Sequence, residues 1–268
     1  MEYNGELKEI NTKEKAYLLG FLYGDGTITT YKEKTGRIRY WTKISISHND
    51  KIILDTLKSY FKFFKEGSFD YSKYNKNNLK QVSLKLGSKK LFDDLINAGL
   101  YPRKSYENKE KLSLPNIANE LLSNFVLGFF DADGSIFKMK YRKNLMGVEI
   151  VSNSFNFITQ LNNLLELNNI FSWKIVEKKP HGKGKQIYYI IKYTKMSEII
   201  KLRNYLYNNH SIALPRKYEM FQNIKLVDKV IDRNISCPHC NSIRTTKNGK
   251  RKQRMRMKCC ECAKGFTL

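Results

Sequence analysis

The feature that constrains this chain most is an apolar stretch that occurs twice. Tyr17 to Gly26 reads Tyr-Leu-Leu-Gly-Phe-Leu-Tyr-Gly-Asp-Gly, and Phe125 to Gly134 reads Phe-Val-Leu-Gly-Phe-Phe-Asp-Ala-Asp-Gly. Each predicts a helix that is apolar on nearly every side and hence buried all round. Each carries small residues four apart, Gly20 with Gly24 and Gly128 with Ala132, so one face can meet another helix backbone at close range. Each ends in Asp-Gly, and the glycine reads as a helix stop. Packed side by side in parallel, the two helices bring Asp25 and Asp133 to one place, where the helix dipoles are also negative. Two carboxylates repel there, and a divalent cation such as Mg²⁺, which takes oxygen ligands and keeps waters, resolves the conflict. Solvated aspartates on two ordinary buried helices would explain either copy alone. The same offset between acid and glycines in both copies argues against that explanation.

Charge points to the partner. With 49 Lys plus Arg against 25 Asp plus Glu, the chain carries +24, which asks for a polyanion, nucleic acid first. Its hydrophobic content of 41% is ample for packed cores and excludes disorder throughout, and 268 residues allow about two domains. The apolar helices are too short to span a bilayer, and the first residues have neither the basic nor the apolar region of a signal peptide. A soluble, intracellular protein is expected. All five cysteines follow residue 236, in a pattern that suits metal better than disulfides.

In chain order, Thr12 is a helix cap with Glu14 in the first turn. From Arg37 to Ser47 the period changes to two, with Arg37, Arg39, Trp41, Lys43, Ser45 and Ser47 on one face and Ile38, Tyr40, Thr42, Ile44 and Ile46 on the other. A solvated sheet face is the plain reading. Cations with almost no acids and an interleaved Trp favour a surface for phosphates and base edges. Asn49 or Asp50 caps a helix with Ile52, Ile53 and Leu57. A hairpin turning at Asn75 to Asn78 and a strand from Lys80 to Leu86 follow, and then Ser88 caps a helix closed by Gly99. The order α-β-β-α-β-β-α then repeats. Lys138, Lys140 and Arg142 alternate with Phe137, Met139 and Tyr141, a helix runs from Phe155 to Leu167, a hairpin turns at Pro180 to Gly184, and a capped helix runs from Thr194 to about Asn209. Leu214-Pro215-Arg216-Lys217 echoes Tyr101-Pro102-Arg103-Lys104. The expected fold is α+β, a pseudo-twofold duplicated αββαββα with two antiparallel sheets. Its domains are a first repeat at 1–106, a linker at 107–115, a second repeat at 116–232 and a tail module at 233–268.

The tail holds Cys237-Pro-His-Cys240 and, after eighteen intervening residues, Cys259-Cys-Glu-Cys262. That is the spacing of a four-thiolate zinc site formed by Cys237, Cys240, Cys259 and Cys262. Cys260 and His239 read as non-ligands inside the knuckles. The module resembles zinc ribbons of DNA-binding proteins, with Arg244, Lys247, Lys250, Arg251, Lys252, Arg254 and Arg256 between its ligand pairs.

The paired Asp-Gly helices resemble the two signature helices of single-chain LAGLIDADG homing endonucleases, over roughly residues 10 to 220. That resemblance implies saddle-shaped sheets in successive major grooves of double-stranded DNA, and hydrolysis of both strands at a long, pseudo-palindromic site by a monomeric enzyme. It makes Asp25 and Asp133 the Mg²⁺-binding acids with the carbonyls of Gly24 and Ala132. Lys85 and Lys192 become the assisting lysines, His48 and Asn153 the solvent-positioning residues, and Arg37, Arg39, Trp41, Lys43, Ser45, Lys138, Lys140 and Arg142 the DNA-binding face. The chain has no flanking splicing blocks, so a free-standing protein encoded within an intron or between genes is expected. An intron RNA maturase, with RNA as a further partner, and a noncatalytic DNA-binding regulator are the alternatives. Retention of both aspartates and both strand lysines favours the nuclease.

Overall fold

The computed structural model describes residues 2–64, 69–70, 81–139, 142–179, 186–224, 235–251 and 254–268, leaving aside the side chains of 69–70, 142–145 and 251. Contacts divide the chain into two compact units, Met1–Ile224 and Lys225–Leu268.

The first unit contains the duplication. Helix α1 (Lys13–Asp25) is followed by β1 (Gly26–Lys32), β2 (Ile38–Ser47), α2 (Lys51–Tyr60), β3 (Phe69–Asp70), β4 (Gln81–Gly87) and α3 (Lys89–Asn97). The second half gives α4 (Asn119–Asp133), β5 (Gly134–Met139), β6 (Arg142–Ser152), α5 (Phe155–Leu167), β7 (Ile175–Lys178), β8 (Tyr188–Tyr193), α6 (Met196–Tyr207) and a further helix, α7 (Pro215–Gln222). Each half builds a four-stranded antiparallel sheet, in the orders β1-β2-β4-β3 and β5-β6-β8-β7. Among the described residues no helix is long and apolar enough to cross a membrane.

Helix α1 is buried from Ala16 to Tyr23 without a polar side, because it lies between the halves rather than on a surface. Thr12 caps it by accepting from the Lys15 amide. The small residues act as the sequence predicts. A methyl group on Gly20 would lie 1.9 Å from the Phe125 carbonyl oxygen, and one on Gly128 2.0 Å from that of Tyr17. Gly24 meets Ala132 in the same way. These contacts advance together along α1 and α4, so the helices run parallel, backbone against backbone. Aromatic rings close the seam, with Tyr23 edge-on to Phe125 at 5.0 Å and Phe129 edge-on to Phe157 at 4.8 Å.

Several local expectations change. Gly26 and Gly134 end their helices in extended backbone, with φ of −79° and −89°, and not in the left-handed conformation of a helix-ending glycine. What requires glycine is crowding, since a Cβ would collide with Leu22 in one case and the Phe130 ring in the other. Thr194 does not cap α6. Lys195 precedes it without a side-chain cap, and Glu198 reaches back to the Phe171 amide at 2.9 Å. The segment expected as a linker is pinned, with Leu112 buried and its carbonyl accepting from Ser154 and Asn156. The turns expected at Asn75 to Asn78 and Pro180 to Gly184 lie outside the described residues.

The tail unit is a three-stranded antiparallel sheet of β9 (Thr245–Arg251), β10 (Arg254–Cys259) and β11 (Gly265–Thr267). Its two knuckles turn in the same way, through left-handed residues just after each Cys pair, Asn241 at φ 55° and Ala263 at φ 58°.

Candidate nucleic-acid cleavage site

Because α1 and α4 end together, Asp25 and Asp133 stand at one end of the seam. A Cβ added to Gly24 would lie 3.2 Å from Asp133 Oδ2, so the carboxylate of one helix sits over the last turn of the other. Burial raises the Asp25 pKa, and burial together with the nearby Asp25 pushes Asp133 up to about 7. Asp133 still keeps a solvent-exposed face. Two carboxylates held at such a cost to their ionised forms, open to solvent on one side, form a donor set suited to a hard divalent cation.

The positive charges that act on these acids come from a motif whose function the sequence did not reveal. The repeated Pro-Arg-Lys places a lysine at each helix end. Lys104 Nζ donates to the carbonyls of Gly24 and Gly26 at 2.6 and 2.7 Å. Lys217, 3% exposed, donates to those of Phe130, Asp131 and Gly134 at 2.8, 2.7 and 2.7 Å. A cation at a helix C-terminus opposes the dipole and satisfies carbonyls left without a helical partner. Both lysines also favour the ionised forms of Asp25 and Asp133. Burial lowers both lysine pKa values, Lys217 to about 8. The signal was present in the sequence as the echo itself, which proves the duplication and also supplies the site. One expected ligand is altered by this arrangement, because the Gly24 carbonyl already accepts from Lys104 and has a single lone pair left.

Lys85 and Lys192 stand farther out, on the outer faces of the sheets. They occupy equivalent rows, Thr27–Lys43–Lys85 in one half and Ser135–Glu149–Lys192 in the other. Lys192 lies 4.0 Å from Glu149 and 4.7 Å above the Phe137 ring. With Thr27, Thr29, Trp41 and Lys43, Lys85 lines a cavity of about 380 Å³.

The outer face of the first sheet follows expectation. Thr42, Ile44 and Ile46 are buried, while Trp41, Lys43 and Ser45 face outward. Arg37 is exposed just before β2, and Arg39 pairs with Glu33 at 2.7 Å. The second sheet corrects the sequence reading. Phe137 pairs with Gly147 on the outer row, whereas Lys138 pairs with Met146 on the row of Ile136 and Val148, at the exposed end of the core side. The alternation must be counted from Gly134, where the strand leaves the helix, and β5 ends at Met139. Lys140 lies outside the described residues. Arg142 opens the next strand, opposite Met139. His48 is exposed after β2, and Asn153 donates to the Ile187 carbonyl at 3.0 Å. Counted from Gly26↔Ile44 and Gly134↔Ile150, Asn153 corresponds to Ser47 and not to His48. Ser47 lines a cavity of about 230 Å³ with Asp25, Ser45, Asp50, Gln81, Asp131, Ala132 and Arg216. Asp50, expected as a cap, instead accepts from Nε and Nη2 of Arg216 at 2.7 Å each.

In the tail, the sulfurs of Cys237 and Cys262 are 3.7 Å apart and those of Cys240 and Cys259 3.6 Å, with all four within 4.8 Å. Tetrahedral thiolates on zinc, with Zn–S bonds of ~2.3 Å, lie roughly 3.8 Å apart, so the cluster fits that ion. Cys260 is exposed and outside the cluster.

A family model described as a LAGLIDADG-like domain matches residues 120–206. A probable translation initiation factor IF-2 of Methanocaldococcus jannaschii is 28% identical over 218 residues, which is 80% of this chain but 16% of that relative's length. Among solved structures, the LAGLIDADG meganuclease I-AabMI bound to uncleaved DNA gives a TM-score of 0.52 at 15% identity, covering 78% of this chain and 87% of that one. Mesophilic variants of the homing endonuclease I-DmoI give 0.51 at 18% identity, covering 78% and 97%. The seam of parallel helices, the duplicated sheets and these matches agree: the chain is a two-repeat protein of the LAGLIDADG fold, with a LAGLIDADG-like domain in its second half.

Proposed function

We propose that this protein is a site-specific endonuclease that hydrolyses phosphodiester bonds in both strands of double-stranded DNA with a divalent cation of the Mg²⁺ type, at a long, imperfectly palindromic site. The observation that carries this reading is the meeting of Asp25 and Asp133 at the ends of two helices packed backbone to backbone. The fold shared with meganucleases solved on DNA supports it.

Asp25 and Asp133 would hold the cation, beside the carbonyls of Gly24 and Ala132. When bound, such an ion lowers the pKa of a water and stabilises the leaving oxygen. The remaining chemistry belongs to the chain. Lys217 donates to three carbonyls, all that an ammonium can serve, so it is a fixed positive charge. Lys104 donates to two and keeps a proton to direct at a phosphate oxygen as negative charge grows there. Arg37, Arg39, Trp41, Lys43, Ser45 and Lys85 on the first sheet, with Lys192 on the second, meet phosphates and base edges. The ribbon, held by zinc on its four thiolates, adds a basic strand pair to the DNA contact.

The test uses a target selected from a randomised plasmid pool by the full chain. Linearisation of that plasmid in Mg²⁺ is expected. Tight binding to the selected duplex with no cutting in Mg²⁺ or Mn²⁺ would reduce the protein to a regulator. Stimulated splicing of a host intron in place of cutting would make it a maturase.

A further inference from the structure

Among the described residues, the positions equivalent to the polar lining of the cavity beside Asp25 carry different chemistry beside Asp133, and from this we infer that the duplex is cut in a fixed order, the strand presented to Asp25 first. The inference rests on the nuclease reading above and adds to it an inequality between the two sites.

The register aligns the halves residue by residue. Counted from Gly26↔Ile44 and Gly134↔Ile150, Ser45 becomes Val151, Ser47 becomes Asn153, and Gln81 becomes Tyr188. On the signature helices, Asp131 stands two residues before Asp133, where the other copy has Tyr23 before Asp25. The Asp25 cavity is therefore lined by hydroxyls, an amide and carboxylates, while the equivalent positions are apolar, aromatic or engaged elsewhere. Asn153 is turned to the Ile187 carbonyl, Tyr23 donates to the Ala98 carbonyl at 2.8 Å, and Arg103 pairs with Glu107.

Asp131 makes the difference specific. It is 3% exposed, and its Oδ2 accepts from Tyr17 and from the Leu214 amide at 2.7 Å each. Its Oδ1 has no protein partner, and the residue lines the cavity. A buried carboxylate oxygen without a donor is an acceptor for bound water. Arg216, held by Asp50 at the same cavity, keeps a guanidinium where a phosphate arrives. Each cut adds one water across one phosphodiester: its oxygen bonds to phosphorus, the bond from phosphorus to one sugar oxygen breaks, and that oxygen takes a proton. A site that already orders water and an arginine loses less in assembling this step. Asp131 and Ser47 act here as positioning residues.

The experiment follows supercoiled plasmid carrying the selected target through nicked circle to linear product, and maps nicks by strand-specific primer extension. For the unaltered protein, nicked circle accumulates first, with the nicks on one strand. In the Ser47→Asn, Gln81→Tyr variant the first cut slows by at least about tenfold, the loss of one good hydrogen bond. Its second cut and its gel-shift affinity stay as they were, so the strand bias disappears. Strand bias is a ratio, which general destabilisation does not move, and the mapping on the unaltered protein needs no variant to fold. Linear product without a nicked lag, or nicks shared equally between strands, overturns the inference and leaves the nuclease standing. Failure to cut any selected site overturns the nuclease reading and this inference with it.

Discussion

The two sheets share a backbone and differ in chemistry. In the first, the outer row beside the helix end is Thr27, Lys43 and Lys85; in the second it is Ser135, Glu149 and Lys192. Two lysines facing across a ladder repel one another and suit an anion between them. A lysine facing a glutamate is already answered, and Lys192 leans on Glu149 and Phe137. One row further, Trp41 on the first sheet corresponds to Gly147 on the second, where the Phe137 ring fills the space. The comparison teaches that duplication preserves what packing demands and leaves the outward rows free to diverge.

The largest effects should appear where the halves do not differ. Gly20→Ala and Gly128→Ala each force a methyl into a carbonyl of the facing helix, and each should destabilise by about 3 kcal/mol or more, at the upper end for overpacking. Urea unfolding of the two variants checks this. A large difference between them would break the symmetry of the seam.

Next come the outer rows. Lys43→Ala with Arg37→Ala and Arg39→Ala should weaken binding and relax preference in one half-site by about 1 to 3 kcal/mol for each side chain on a base edge. Glu149→Gln should do the opposite, freeing Lys192 and tightening binding, with a salt dependence steeper by about one ion. Gel shifts across a salt series measure both. If Glu149→Gln weakens binding, Glu149 is itself a base contact and the contrast between the sheets has been misread.

The seam was legible in the sequence because its constraint is local: small residues four apart and an acid at a fixed offset determine both the packing and the meeting of the acids. The first sheet was legible because β2 alternates cleanly. The second was not, since the phase of β5 is set by where the strand leaves α4, and counting from Gly134 moves Phe137 outward and Lys138 inward. The lysines at the acids were missed because Pro-Arg-Lys has no periodicity of its own. Lys104 and Lys217 reach the helix ends only through tertiary folding, from about eighty residues away in sequence.

The ribbon should behave as a separate module. One equivalent of zinc should be released by a thiol reagent, and Cys237→Ser should abolish its binding. Deleting residues after Arg233 should lower DNA affinity and flatten its salt dependence, while the two-repeat unit still cuts. Equal affinity with and without the ribbon at every salt concentration would remove it from the DNA contact.

A smaller effect separates the acids. Asp133 has its pKa raised to about 7 from an unfolded value of about 3.9. The folded protein therefore holds an extra proton between these values, and this acid's contribution to stability declines as pH rises through that window. A cation takes the proton's place. The rise in Tm produced by Ca²⁺ should accordingly be larger at about pH 8 than at about pH 6, and Asp133→Asn should remove the difference. A Ca²⁺ shift that does not change with pH would mean that the cation is held elsewhere.

The most direct measurement compares cutting with binding in Asp25→Asn, Asp133→Asn and the double variant. Asparagine keeps the size and removes the hard anionic ligand, and losing one of two repelling charges also favours approach of the phosphates. Cleavage in Mg²⁺ should fall below detection in all three. Gel-shift affinity for the selected target in Ca²⁺ should be equal to that of the unaltered protein or tighter. Full cleavage by the double variant, or loss of binding in parallel with cleavage, would contradict the account that these two helix ends carry the chemistry.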